Sequence, residues 1–360
     1  VIAEQLPLWR SLGNSLLTLF TRAPLQANFC WQPRLARRIV QLLEQDPPDV
    51  VHVEHLRGAP YGLLVKRLGQ ARQIPIPVVW DSVDCISYLF EQAVKVSRSR
   101  KGQLLTHLDL ARTRRYEGSL VHQFDQVAVT SPIDKKALED LVWKAGPLAG
   151  AVHVVGNGVD LSYFAPGDEP RNPATLVFSG KMSYHANVTA AVHLVRDIMP
   201  KVWSQCPDVE VWLAGKDPAA EVRALSQTGT MTNGHGKVVV TGTVPDLRPY
   251  LQKSTLAVAP VLYGAGVQNK VLEAMACGSP VIASPQACSA LQAQPGRELL
   301  VAENSDLFAD TILRLLANQS QRQHVGEAAR QYVARHHSWD AMAACFEQLY
   351  QRAIHPAGRD

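Results

Sequence analysis

The sequence predicts an α/β protein made of two tandem Rossmann-like, doubly wound domains that face a central cleft. Three observations carry that expectation. From Asp49 onward short β-branched runs alternate with segments of helical period, and a cluster of glycine and proline between Gly156 and Pro173 divides two such series. The second series ends in a glycine loop that opens a helix and then a buried strand.

About 45 residues of helical or irregular pattern come first. A doubly wound domain ordinarily opens with a strand and a glycine-rich turn, so the first domain, residues 1–155, is expected to lack both. Its series then runs DVVHVEH and a helix over Tyr61 to Arg72, PVVWDSV and a long helix over Gln103 to Phe124, and QVAVTS with a helix over Ile133 to Trp143. The second domain, 156–337, runs TLVFSG, a helix over Asn187 to Trp203, VEVWLAG, VVVTG, STLAVAPV, the glycine loop with its helix, and PVIAS. Val188, Val192, Val195, Met199 and Val202 mark the apolar face of the first of these helices. The stripe Trp339, Met342, Phe346, Leu349 and Tyr350 predicts a terminal helix in 338–360 that crosses back to the first domain.

With 360 residues, 46% apolar and 19% charged, the chain can bury two ordinary cores. No apolar run reaches the roughly 18 residues that span a bilayer and no signal peptide opens the chain, so a cytoplasmic protein is expected. The six cysteines are scattered without Cys-x-x-Cys, which points to reduced thiols and to neither zinc nor disulfides. Residues 1–150 hold 19 Lys/Arg against 14 Asp/Glu, the remainder 17 against 18. Lys95, Arg98, Arg100 and Lys101 form one basic cluster and Arg112, Arg114 and Arg115 another. Each reads either as a solvated face or as a surface for anionic lipid. Nucleic acid is not expected, because no aromatic residues are interleaved with the basic ones.

In the second domain Gly180-Lys181, Gly215-Lys216, Gly242 and the loop at Gly264 all follow strands, and ligands bind at that end of such a sheet. Gly264 and Gly266 let backbone amides approach an anion at a helix start. Lys270 supplies a cation, and Glu273, one turn on, can accept two hydrogen bonds from a ribose diol. The alternative for this pair is an ordinary solvated contact on a helix.

The Asn157-Gly158-Val159-Asp160 junction, Phe164-x-Pro166, and LEAMACGSPVIAS on tandem α/β domains resemble the family-4 retaining glycosyltransferases of the GT-B fold. The resemblance covers nearly the whole chain, is strongest from Val154 to Ser284, and is closest to members that build bacterial exopolysaccharides, including those beside exosortase systems. It implies a sugar nucleotide, UDP- or GDP-linked, held by the second domain, and a saccharide or lipid-linked acceptor held by the first. The family's Glu-x7-Glu element falls on Ala265 and Glu273, so only the second carboxylate is present. Donor recognition then shifts to the amides of Gly266 and Val267 and to Gln268 and Asn269. The family's basic pair falls on Lys181 and Asn187, which makes Lys270 the candidate second cation. Thr243 and Val244 would meet the nucleobase. On the acceptor side stand Glu54, His55, Arg57, Asp81 and Asp84, with Asp84 the first choice and His55 the second for taking the acceptor proton. Turn formation or helix capping is the alternative for Asp81 and Asp84, and Glu117 reads as structural.

No cofactor is expected beyond the donor substrate. No metal is expected either, since no Asp-x-Asp pair appears. Peripheral contact with the inner face of a membrane accompanies this reading. Competing expectations are a nucleotide-sugar epimerase on the same fold and a catalytically silent sugar-nucleotide-binding protein. A nicotinamide dehydrogenase ranks last, for want of Gly-x-Gly-x-x-Gly after a strand.

Overall fold

A computed structural model describes residues 1–96, 100–142, 152–230, 236–263 and 267–356. The chain forms two compact units, Val1–Gly156 with Ala343–Asp360, and Asn157–Met342.

The first unit opens with α1 (Leu8–Thr18) and α2 (Pro33–Gln45). There follow β1 (Val51–Glu54), α3 (His55–Arg72), β2 (Val78–Val83), α4 (Ile86–Val96), α5 (Arg100–Gln123), β3 (Gln126–Val129), α6 (Pro132–Val142) and β4 (Val152–Val154). The four strands are parallel in the order β1-β2-β3-β4, with Glu54 level with Asp81. β-branched residues fill these strands because both faces are covered, and Trp80, Leu56, Leu120 and Leu138 are fully buried between sheet and helices. α3 lies close to β1 at Gly62, where a Cβ would come within 2.7 Å of Val53 and 2.8 Å of Phe124. This helix starts six residues before the Tyr61 that the sequence predicts, because Gly58 and Pro60 read as breakers yet fall inside its early turns.

The second unit contains β5 (Thr175–Ser179), α7 (His185–His193), α8 (Met199–Trp203), β6 (Glu210–Ala214), α9 (Ala220–Ala224), β7 (Lys237–Gly242), α10 (Arg248–Lys253) and β8 (Leu256–Ala259). It continues with α11 (Asn269–Ala276), β9 (Val281–Ala283), α12 (Pro285–Cys288), β10 (Leu300–Val301), α13 (Ser305–Ala317) and α14 (Gln319–His336). Its six strands are parallel in the order β10-β9-β8-β5-β6-β7. The chain therefore winds outward from β5 to β7, returns to the other side of β5, and winds outward again through β8 to β10. Between β5 and β8 the winding reverses, and helices leaving these two neighbours diverge to opposite faces.

The expected continuous helix over 187–203 is instead α7 and α8 joined by a π turn at Leu194–Ile198. Pro200 lacks an N–H and cannot complete the α ladder there, and the wider turn absorbs the mismatch. Ala190, Ala191 and Leu194 fill the core, while Val188 and Val192 are only partly buried. The last helix, α15 (Trp339–Ile354), begins in the second unit and ends in the first, where Phe346 and Tyr350 pack edge-on against His52 of β1. Among the described residues no helix is long and apolar enough to cross a membrane.

Candidate functional site

The reversal between β5 and β8 gathers the second unit's functional side chains. β5 ends at Ser179 and runs through Gly180 and Lys181 into α7, while β8 leads through the glycine loop into α11. Across that gap Lys270 Nζ of α11 donates to Asn187 Oδ1 of α7 at 2.8 Å and to Gln268 Oε1 at 3.1 Å. The same ammonium lies 5.5 Å from the centre of the buried Phe178 ring on β5. Asn187, itself 5% exposed, donates through Nδ2 to the Lys181 carbonyl at 2.9 Å. One amide thus fixes both the loop after β5 and the cation of α11.

Gly180 and Gly215 make this approach possible. Gly180 (φ +144°) leaves no room for a side chain, since a Cβ would lie 2.8 Å from Asn187 Nδ2 and 3.3 Å from Lys270 Cε. Gly215 (φ +150°) follows β6, and a Cβ there would lie 1.7 Å from the Gly180 carbonyl oxygen. Backbone bonds from Gly180 N to Ala214 O (3.0 Å) and from Met182 N to Lys216 O (2.8 Å) clamp the two strand ends together.

Burial lowers the Lys270 pKa to about 8, with Glu273 pulling the other way. Burial also raises the Glu273 carboxyl, which Lys270 partly offsets. The ammonium is held by neutral amide oxygens, with no carboxylate within salt-bridge distance among the described residues. A ligand that brings phosphate to Lys270 and hydroxyls to Glu273 would favour the charged form of each.

The remaining donor-side positions fall nearby or outside the described residues. Lys181 is exposed, Gln268 is partly buried beside Lys270, and Asn269 Oδ1 accepts from Asn157 Nδ2 at 2.8 Å. Val267 is buried, Val244 half-buried and Thr243 exposed just beyond β7. Ala265 and Gly266, with Gly264, lie outside the described residues, as does Arg98 of the first basic cluster.

In the first unit the acceptor-side candidates sit at the carboxyl ends of β1 and β2. His55 (φ +63°) and Val83 (φ +65°) both take the left-handed conformation there, which a β-branched residue adopts only when its surroundings impose it. Val83 is held by its N–H on Asp81 Oδ1 (2.9 Å) and its carbonyl on Thr130 N (2.8 Å). Arg57 donates from its backbone to His55 Nδ1 at 3.4 Å, and its guanidinium lies 5.5 Å from the Phe29 ring. The His55 pKa is lowered, first by burial and then by Arg57. Asp84 Oδ1 accepts from Thr130 Oγ1 at 3.5 Å, and burial, reinforced by Asp134, raises its pKa to about 6.

Two buried carboxyls behind these positions anchor α4. Glu117 accepts from Ile86 N (2.7 Å) and Ser87 N (3.1 Å), and Asp134 accepts from Cys85 N (2.9 Å). Both are fully buried. Glu117 caps the helix start from a neighbouring helix, which local spacing does not reveal.

Two family models match the chain: "Glycosyltransferase Family 4" over residues 17–163 and "Glycosyl transferases group 1" over residues 173–318. Sucrose-phosphate synthase from Thermosynechococcus elongatus superposes with a TM-score of 0.66 at 21% identity, over 89% of this chain and 77% of that one. Anabaena HepE, solved in complex with UDP, superposes at 0.65 and 14% identity, over 89% of this chain and 82% of that one. The chain is built from two glycosyltransferase domains in the GT-B fold. A phosphatidyl-myo-inositol mannosyltransferase from Mycolicibacterium smegmatis is 25% identical over 229 residues, which is 61% of this chain and 57% of that relative. A D-inositol 3-phosphate glycosyltransferase from Catenulispora acidiphila is 25% identical over 237 residues, 61% of this chain and 55% of the relative. The chain thus spans a little over half the length of these curated relatives.

The second glycosyltransferase domain also holds a cavity of about 780 Å³ at the opposite end of its sheet, beside Pro173, Thr255 and Pro280, which precede β5, β8 and β9. Its arginines are committed to structure. Arg171 donates to the carbonyls of Leu251, Ser254 and Cys277, and Arg330 to those of Leu161, Phe164 and Ala276. The switch point, where Lys270 keeps a charge that no carboxylate pairs within salt-bridge distance among the described residues, is the better anion site.

The raised Asp84 pKa has a consequence for the first glycosyltransferase domain. Between about pH 4 and 6 the folded chain keeps a proton that the unfolded chain has released, so stability falls as pH rises through that window. Asp84→Asn removes this penalty while leaving Oδ1 to accept from Thr130. The expected result is a variant more stable than wild type by about 2 kcal/mol at pH 7.5, allowing for solvent screening, with no gain at pH 3.5. Thermal unfolding at the two pH values measures it.

Proposed function

We propose that this GT-B protein is a retaining, metal-independent glycosyltransferase. It moves a sugar from a UDP- or GDP-linked donor to a saccharide or lipid-linked acceptor in bacterial polysaccharide or glycoconjugate synthesis. The observation that carries the reading is the Lys270 ammonium, held between Asn187 and the Phe178 ring at the switch point, with Glu273 one turn on. The UDP bound to HepE and the mannosyl transfer named for the mycobacterial relative support a nucleotide-sugar donor.

In the proposed reaction the donor diphosphate lies against Lys270 and the loop after β5, and the ribose hydroxyls donate to Glu273. The bond between the anomeric carbon and the diphosphate oxygen breaks. The acceptor oxygen attaches to the same face of that carbon. Its proton passes to the departing diphosphate or to Asp84, whose raised pKa suits a proton acceptor near neutrality. Charge grows on the diphosphate as the bond breaks, so a fixed ammonium stabilises the transition state more than the bound donor.

A thermal-shift screen against UDP, GDP, ADP and their sugars tests the reading. A ligand that binds only the folded chain at a hundred times its dissociation constant adds about 2.7 kcal/mol of apparent stability. We expect one nucleoside diphosphate and its sugar to raise the melting temperature of wild type far more than that of Glu273→Ala at the same concentration. Equal response of both proteins to every nucleotide would contradict the proposal.

A further inference from the structure

α1 is amphipathic in the inverted sense. Its polar side chains face the protein: Ser11 and Thr18 are buried, Asn14 Nδ2 donates to the Trp31 carbonyl at 2.8 Å, and Ser15 Oγ donates to the Leu25 carbonyl at 3.4 Å. Its apolar side chains face outward. Leu8, Trp9, Leu12, Leu16 and Leu17, with Phe20 just beyond the helix, are between 59% and 86% exposed. A helix that spends hydroxyls and amides on its own protein and presents leucine and aromatic rings outward is matched to an apolar medium.

The charge of this part of the chain favours one medium, with Asp109, which accepts from Leu25 N at 3.1 Å, the acidic neighbour from α5. Between Glu4 and Glu44 the sequence has five arginines, Arg10, Arg22, Arg34, Arg37 and Arg38, and no acidic residue. Arg10 lies 5.4 Å from the Trp9 ring, and Arg112 Nη2 of α5 donates to the Leu19 carbonyl at 2.8 Å, which adds a sixth cation at the end of the face. By contrast Arg114, whose cluster reads either as a solvated face or as a lipid surface, is paired with Glu91. A second copy of the chain is a poor occupant, because a self-complementary interface would bring arginine to arginine. Negatively charged headgroups above a hydrocarbon layer satisfy both the cations and the leucines.

We propose that α1 is a membrane-docking element: Trp9, Leu12, Leu16 and Phe20 insert into the surface of an anionic phospholipid bilayer while Arg10, Arg22 and Arg112 contact its headgroups. Docking does not depend on sugar transfer, and it would place the protein where a lipid-linked acceptor resides.

The test is sedimentation of the full chain with vesicles of phosphatidylcholine containing phosphatidylglycerol, compared with pure phosphatidylcholine. Leu12→Glu/Leu16→Glu changes two exposed side chains and should leave the melting temperature near that of wild type. Wild type is expected to sediment with the anionic vesicles, weaken in high salt, and bind at least about tenfold less in the double variant. Arg10→Ala/Arg22→Ala should weaken binding by about fivefold for each arginine lost. Failure of wild type to bind anionic vesicles, or equal binding by the double variant, would overturn the proposal. So would light scattering that finds a dimer in wild type and a monomer in the double variant. Nucleotide binding measured on the same proteins is expected to be unaltered, so loss of docking and loss of the donor site are told apart.

Discussion

Gly215→Ala is expected to destabilise the second unit by about 4 kcal/mol or more and to lower its melting temperature by about 10 °C. The new Cβ would sit 1.7 Å from the Gly180 carbonyl oxygen, and that neighbour is backbone, which cannot rotate aside. Relief requires β6 and the loop after β5 to separate. They are tied by Gly180 N to Ala214 O and Met182 N to Lys216 O, and that loop carries the carbonyl that anchors Asn187. φ near +150° is itself a conformation that only glycine takes easily. Gly242→Ala is the matched control: it too has positive φ, +68°, but a Cβ there meets nothing within 4 Å. It should cost only about 1–2 kcal/mol. Similar melting temperatures for the two variants would show that the strand ends move more freely than this packing allows.

Glu273→Ala is expected to weaken nucleotide binding by about 2–3 kcal/mol, roughly 30- to 150-fold, because a buried pair of ribose hydroxyls would be left without its acceptor. Lys270→Ala should act differently, lowering turnover more than ground-state affinity, since it removes a charge whose partner grows in the transition state. The Lys270 pKa of about 8 adds a signature. Below that pH the ammonium is charged in the free protein. Above it the diphosphate must recruit a proton, so affinity should fall by up to tenfold per pH unit, and the Lys270→Ala variant should not show this slope. Calorimetry across pH 6.5 to 9.5 measures the affinities and their slope, and steady-state kinetics of sugar transfer measures the turnover.

The alternation of strand and helix was legible in the sequence because parallel strands buried on both faces need near-continuous β-branched runs, as in TLVFS and LAVA. The helix that carries Lys270 and Glu273 was legible for a similar reason, since Val271, Leu272 and Met275 recur at helical spacing and all three are buried. The role of Asn187 was not. The family resemblance makes it a missing cation, whereas in three dimensions its amide holds the ammonium of Lys270, a residue 83 positions away. Equally hidden were the Glu117 cap on α4 and the committed arginines Arg171 and Arg330, whose partners are carbonyls far along the chain. The inverted α1 was legible only as part of a helical or irregular stretch. Which face turns inward depends on what the rest of the unit offers, here the carbonyls of Leu25 and Trp31.

The central claim is that a nucleoside diphosphate binds where the second sheet reverses direction. Hydrogen exchange followed by mass spectrometry, on the full chain with and without the nucleotide found in the thermal screen, tests it most directly. Slowed exchange is expected in residues 178–188 and 267–276, which leave β5 and follow β8. Protection confined to residues 166–173 and 319–331, around the cavity at the opposite end of the sheet, would contradict it.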